Sequence, residues 1–288
     1  MVFICHLPPI RAESSYYFVK IFPIFSRHLA LFLVISAIGV SWVHGDTIGF
    51  FYALDADLQG LKTVAREMGQ SAKVGTRSIQ RLQLGTHVIY AVKMGSGAVE
   101  TAASAQALLA RCRCDWAFSL GPAGALLENI ETGQWVRVAH VIAWQHGSSA
   151  SASPSDFPFW DTDWAHFPAT NLPAPLQTTS IVSAASGEQF ISATGERDRL
   201  QAATQADVVD MNGFGIALVC ADHGVPLFSW KIVSDRADEN ASEAFRAFIS
   251  SYSGEGGKAL AEIIQSLPPN PNDPSSYPAI DRFLRESR

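Results

Sequence analysis

The sequence predicts an α/β fold, and two stretches carry the prediction. From Asp207 to Asn240 the chain alternates strand, corner, helix, turn and strand. Val208 and Val209 are short and β-branched. Asn212 and Gly213 then open a helix whose apolar positions, Ile216, Ala217, Val219 and Cys220, fall at helical spacing, and Gly224 and Pro226 stop it. Leu227 to Val233 is mostly apolar, the pattern of a strand covered on both faces. Ser234 and Asp235 stand at its carboxyl end, where open α/β sheets bind ligands. Asp235 is there either a solvated turn residue or a working acid. In the second stretch, Thr47 to Leu54 reads as the first strand and a helix follows to Met68. Asp55 and Asp57 suit that helix's N-terminus, where the dipole favours acids.

The remaining elements follow in order. Ser78–Leu84 and Thr86–Lys93 alternate in polarity and are split at Gly85, a hairpin signal. Gly95-Ser96-Gly97 opens a helix running through Arg111. Its glycines are either plain turn geometry or a place for the backbone to approach a ligand. Asp115–Leu120 is a buried-type strand ending in Gly121-Pro122-Ala123-Gly124, and strands follow at 133–144 and 178–184. Residues 145–177, rich in Ser, Pro and aromatics, are too long for an idle connection. They read either as a lid or dimer-contributed wall over a bound ligand, or as a surface patch packed on the core. Ala241–Gln265 reads as one closing amphipathic helix.

Composition narrows the function. With 48% hydrophobic and 17% charged residues over 288 positions, a sizeable core is easily built. The net charge of −6 and the lack of a basic stripe argue against nucleic-acid binding. Four cysteines at uneven spacing make no disulfide scaffold, and Cys112-x-Cys114 lacks the second pair a metal site needs. A Cys112–Cys114 disulfide is the alternative to two helix-end thiols. No metal or other cofactor is expected.

The chain divides at residues 1–45, 46–267 and 268–288. Leu29–Val43 is apolar but shorter than the roughly 20 residues a membrane span needs. Lys20, Arg27 and His28 flank it, and Val43-x-Gly45 supplies small residues before Asp46. These are the parts of a signal peptide, with cleavage before Asp46 and a periplasmic or secreted product. A start at Val19, a buried N-terminal helix and an uncleaved anchor are the alternatives. Membrane contact is expected only through this segment. The tail after Pro268 is Pro-rich and expected at the surface.

Four motifs add a resemblance. Asp210-Met211-Asn212, Val225-Pro226-Leu227 and Ser234-Asp235-Arg236-Ala237-Asp238, together with Ser186-Gly187-Glu188-Gln189-Phe190-Ile191, resemble the nucleoside phosphorylase/nucleosidase superfamily. The nearest branch hydrolyses methylthioadenosine and S-adenosylhomocysteine. The resemblance covers most of Asp46–Gln265. It implies a three-layer αβα sandwich with a mixed central sheet, usually dimeric, and a small purine nucleoside as the bound partner. It further implies that Phe190 stacks on the purine and that the backbone of Ile191 reads the base edge. Met211 would pack under the ribose, within a corner that begins at Asp210. Ser234 and Asp235 would form the acid site, with Asp235 protonating the base at N7. Asp57, aligned with the third acid after the first strand, would activate the attacking water.

Two positions depart from that pattern. Asn212 stands where the family has a Glu that accepts from the ribose hydroxyls, a change worth about 1–2 kcal/mol per contact. In the Gly121-Pro122 turn, Pro122 replaces a Ser and so removes a hydroxyl and a backbone donor near the sugar. Phe51–Leu61 contains no Arg or Lys to grip phosphate, which favours water as the nucleophile; Arg66 and Lys93 are the cations that keep phosphate open. The expected activity is hydrolysis of the N-glycosidic bond of adenosine-type nucleosides. The alternatives are a phosphate-dependent phosphorylase and a non-catalytic nucleoside-binding or storage protein.

Overall fold

The computed structural model describes residues 45–145, 159–161 and 179–267. The expected signal segment and the Pro-rich tail lie outside the described residues, as does most of the 145–177 insertion.

The described chain runs β1 (Thr47–Tyr52), α1 (Asp55–Lys62), β2 (Arg66–Glu67), β3 (Ala72–Val74), β4 (Arg77–Leu84), β5 (His87–Lys93) and α2 (Ala98–Leu109). It continues with β6 (Trp116–Ala125), β7 (Trp135–Ala143), β8 (Phe159–Asp161), β9 (Ser180–Ser186), α3 (Thr194–Thr204) and β10 (Val208–Asp210). The last elements are α4 (Gly213–His223), β11 (Leu227–Asp235), α5 (Ala241–Ser251) and α6 (Glu255–Gln265).

One mixed sheet contains all the strands, in the order β10-β9-β7-β11-β6-β1-β5-β4-β2, with β3 on β4 and β8 on β7. β1 lies parallel to both β5 and β6, and β11 is parallel to β6. β10 pairs parallel with β9 and antiparallel with β6, so β6, β11, β7, β9 and β10 close into a ring. All nine residues of β11 are buried, as its apolar run and central place require.

Apolar side chains from both faces of the sheet make the layers. Phe50, Trp116, Phe118, Phe228 and Trp230 project to one side and meet Leu58 and Leu61 of α1 and Leu260, Ile263 and Ile264 of α6. Phe51, Ala117 and Val138 project to the other and meet Ala105 and Leu108 of α2 and Ile216, Ala217 and Cys220 of α4. Fully burying such large side chains is worth roughly 1.5–3 kcal/mol each. This is the expected three-layer αβα sandwich.

The details correct the sequence reading in some places and decide it in others. α1 stops at Lys62, and the chain turns into edge strand β2 before Met68. β6 runs through Pro122 to Ala125 instead of ending at Leu120. β1 pairs with β6 only as far as Leu120 and β10 meets it only from Gly124 on, so Pro122 lies where one flank carries no strand and its missing N–H breaks no ladder there. The closing helix is two helices. Gly254, at φ +82°, breaks it between Ser251 and Glu255. Cys112 and Cys114 are free thiols, and the Cys114 thiol points at the Cys112 carbonyl at 3.4 Å. α3 and the short strands β2 and β3 had no sequence counterpart.

Candidate active site

A cleft of about 570 Å³ opens among the residues that follow β1, β5 and β9, the ends of β10 and β11, and the exposed side of α5. Eight of the ten residues singled out from sequence line it: Phe190, Ile191, Asp210, Met211, Asn212, Pro122, Ser234 and Asp235. Gly121 and Asp57 do not. Gly121 lies behind the wall, where a side chain would meet Ala53 and Asn212.

Asp235 ends β11 and is only 2% exposed. Ser234 is an extra residue in the β11–β6 register, between Val233 opposite Ala123 and Asp235 opposite Gly124. Such a bulge re-aims the side chain that follows it. The Ser234 hydroxyl donates to Asp235 Oδ2 at 2.7 Å, and the Ala237 N–H donates to Oδ1 at 2.9 Å. Ala237 takes φ +49°, a strained setting for a non-glycine residue, and the bond to Asp235 helps hold it there. Burial raises the Asp235 carboxyl above its ordinary range; the two hydrogen bonds pull the other way, and Asp238 adds a smaller upward push. The result is a carboxyl on the cleft wall biased toward keeping its proton. Phe190, 39% exposed, tilts against Phe245 of α5 at 5.6 Å and offers a ring in the same cleft.

The Asp210–Asn212 corner rests on a residue the sequence reading missed. Lys231, wholly buried in β11, pairs with Asp210 Oδ2 at 2.5 Å. Asp210 also accepts from the N–H groups of Asn212 and Gly213, and Ser186 Oγ accepts from that of Phe214. These bonds satisfy the first donors of α4 and fix the corner. A lysine in the middle of a strand buried on both faces was the available signal. The Asn212 amide donates to the Gly95 carbonyl at 2.7 Å, and it also reaches Thr101 Oγ1 at 3.5 Å. Its nitrogen is engaged, so a ligand meets a single neutral acceptor, Asn212 Oδ1.

Asp57 sits in the first turn of α1 and is 1% exposed. Tyr252, which does line the cleft, donates its hydroxyl to Asp57 Oδ1 at 2.5 Å and accepts from the Gly256 N–H at 2.9 Å. Burial, the largest influence, pushes the Asp57 carboxyl up to about 6 against the hydrogen bonds from Tyr252 and Gly257, and Glu255 adds a small upward push. The Tyr252 side chain links this carboxylate to the wall, which Asp57 itself does not line. Gly257 is required beside it: a Cβ there would lie 1.8 Å from the Asp57 carbonyl oxygen.

The glycine turn before α2 is occupied by protein. Glu188 Oε1 accepts from the Val99 N–H at 3.0 Å. Gly97 takes φ +92°, a backbone setting that favours glycine, and the Glu188 carboxylate lies over it. Lys93 reaches the cleft but pairs with Asp55 at 2.6 Å, and Arg66 lies on edge strand β2, outside the cleft lining.

Comparison with known proteins decides the family. A family model described as the phosphorylase superfamily matches residues 47–265. The chain belongs to this superfamily. Among similar phosphorylase-superfamily proteins, the aminodeoxyfutalosine nucleosidase of Helicobacter pylori (strain ATCC 700392 / 26695) is 34% identical over 83 residues, 29% of this chain and 36% of that protein. The 5′-methylthioadenosine/S-adenosylhomocysteine nucleosidase of Staphylococcus haemolyticus is 24% identical over 231 residues, 76% of this chain and 98% of that protein. Solved structures share the fold. A Helicobacter pylori MTAN mutant with 5′-methylthioadenosine in the active site superposes with a TM-score of 0.68 at 21% identity, over 77% of this chain and 100% of that one. The futalosine hydrolase of Helicobacter pylori strain 26695 gives a TM-score of 0.69 at 21% identity, over 77% and 98%.

Proposed function

We propose that this chain is an N-ribosyl hydrolase that releases the base from adenosine-type nucleosides, with methylthioadenosine and S-adenosylhomocysteine as the nearest substrate types. The observation that carries this reading is Asp235: a buried carboxyl whose hold on its proton is raised by burial, on the wall of a cleft that also holds an aromatic ring at Phe190. A purine leaves easily only as a neutral base, so a proton delivered to N7 lowers the barrier. A general acid of this kind contributes about 10²–10⁴-fold. Asp57 is the group that prepares the water. The names of the similar nucleosidases agree with release of a base by hydrolysis.

Water is favoured over phosphate for electrostatic reasons. A phosphate at the α2 turn would meet the Glu188 carboxylate already accepting from Val99, and the lysine at the cleft mouth is paired with Asp55. The protein acts outside the cytoplasm, on the strength of the Leu29–Val43 run and its basic flank, and works as a homodimer, as the superfamily resemblance implies. N-terminal sequencing of the mature protein tests export; a first residue of Met1 or Val19 would rule out cleavage before Asp46.

A second reading is favoured by Asn212. With one neutral acceptor at the corner and the base end intact, the chain would bind purine nucleosides without cleaving them. Product analysis separates these readings. Methylthioadenosine, S-adenosylhomocysteine, adenosine and inosine are each incubated with the mature protein, with and without phosphate. Free base and free sugar without phosphate, lost in Asp235→Asn, is the expected result. Base release only with phosphate would make the protein a phosphorylase. Binding without release from any of the four would make it a binding protein.

A further inference from the structure

Asp57 is well placed to be a base and badly placed to touch a substrate. It is 1% exposed, it does not line the cleft, and one of its oxygens is tied to the Tyr252 hydroxyl. Its chain neighbours Ala53, Leu54, Asp55 and Ala56 all line the cleft, so the carboxylate stands directly behind the wall. Tyr252 is the wall residue that connects the two.

We propose that Tyr252 meets the attacking water and that Asp57 acts through it. The water gives a proton to Tyr252 Oη while Tyr252 gives its own proton to Asp57. The water oxygen forms its bond to the anomeric carbon as the carbon–nitrogen bond breaks, and the departing base keeps that electron pair and takes a proton from Asp235. Asp57 then loses its proton to solvent and Asp235 regains one, so the cycle consumes only water and nucleoside. The inference rests on the hydrolytic reading above.

The local chemistry supports each part. The 2.5 Å separation lies in the range of a hydroxyl donating to an ionised carboxylate. A phenol oxygen accepts as well as donates; the Gly256 N–H uses one acceptor position and leaves another for water. That same N–H steadies negative charge building on the oxygen as the protons shift. Burial, Asp57's charge and its hydrogen bond raise the Tyr252 phenol above its ordinary range, so it carries its proton and passes it on instead of resting as a phenolate. Asp57 is ionised above about pH 6 and able to receive. The titratable groups acting on this pair are Glu255 of α6, for both, and each other; Asp55 and Lys93 at the cleft mouth neutralise one another.

The test measures base release by wild type, Tyr252→Phe, Asp57→Asn and the double variant across pH 4.5–9. In the wild type, kcat/KM is expected to rise with pH around 6. Each single variant should lose about 100-fold in kcat with little change in KM, and should lose that rise. The double variant should fall no further than the weaker single one, because the two side chains form one path. Tyr252→Phe with near-wild-type kcat and an intact rise would overturn the relay, as would loss of the rise in Asp57→Asn alone. Both results leave the hydrolase reading standing. A wild type that releases no base from any nucleoside removes the hydrolase reading and the relay together. If Tyr252→Phe does not fold, 3-fluorotyrosine at position 252 keeps the hydroxyl and changes its acidity. A relay then shifts kcat and its pH midpoint, and an unchanged profile overturns it.

Discussion

Asp235 and Asp57 are both carboxyls lifted by burial, yet they face the cleft differently. Asp235 ends a bulged central strand and belongs to the wall, with two donors from its own neighbourhood holding both oxygens. Asp57 starts a helix, sits behind the wall, and communicates through a tyrosine far along the chain. The same physical cause, desolvation, acts first on both. A raised pKa therefore identifies neither job. Under the proposed function, their partners and their access to the cleft give one carboxyl to the base and the other to water.

The largest expected effect breaks the Asp235 side. Asp235→Asn keeps the shape and removes the proton, and kcat should fall by about 10³-fold in a base-release assay. A loss under tenfold would remove Asp235 from the acid role and with it the contrast with Asp57.

The next effect sharpens the Asp57 side through stability. Its folded pKa of about 6 lies above the ordinary 3.8. The favourable contribution of the protonated group is thus fully present below pH 3.8 and disappears as pH rises through about 6. Asp57→Asn stays neutral throughout, so it should gain roughly 2 kcal/mol on wild type between pH 4 and pH 7. Denaturant unfolding at the two pH values measures this. An equal difference at both would mean that burial does not hold the carboxyl up.

The smallest effect concerns the ring beside Asp235. Phe190→Ala should weaken purine binding by about 1–3 kcal/mol, read as a higher KM with kcat less changed. Unchanged KM would make Phe190 a partner of Phe245 only.

The base side was legible in the sequence because its parts are short and contiguous. Residues 207–212 and 227–235 each carry a strand and its end, 186–191 follow directly from the end of β9, and the mixed sheet brings them together. Sequence periodicity located β4, β5, α4 and β11 closely for the same local reason. On the proposed water side, Asp57 was singled out from sequence and its partner Tyr252 was not. Tyr252 reaches Asp57 from 195 residues away, and the break at Gly254 that delivers it looks like one more polar turn inside an amphipathic run. Pro122 read as a strand terminator because nothing local shows that one flank of β6 is vacant there. Lys231 was passed over within an apolar run, although only a partner such as Asp210 makes a charge tolerable at that depth.

The close seating of α6 against the first turn of α1 bears on the order in which the site is completed. Gly257 lets the backbone of the last described helix press on Asp57, and Gly256 tethers the tyrosine hydroxyl. On a ribosome, the strands and corners that receive a purine emerge before α6 does. Under the proposed function, the residues that would meet the purine are thus translated before the helix that seats the Asp57–Tyr252 pair.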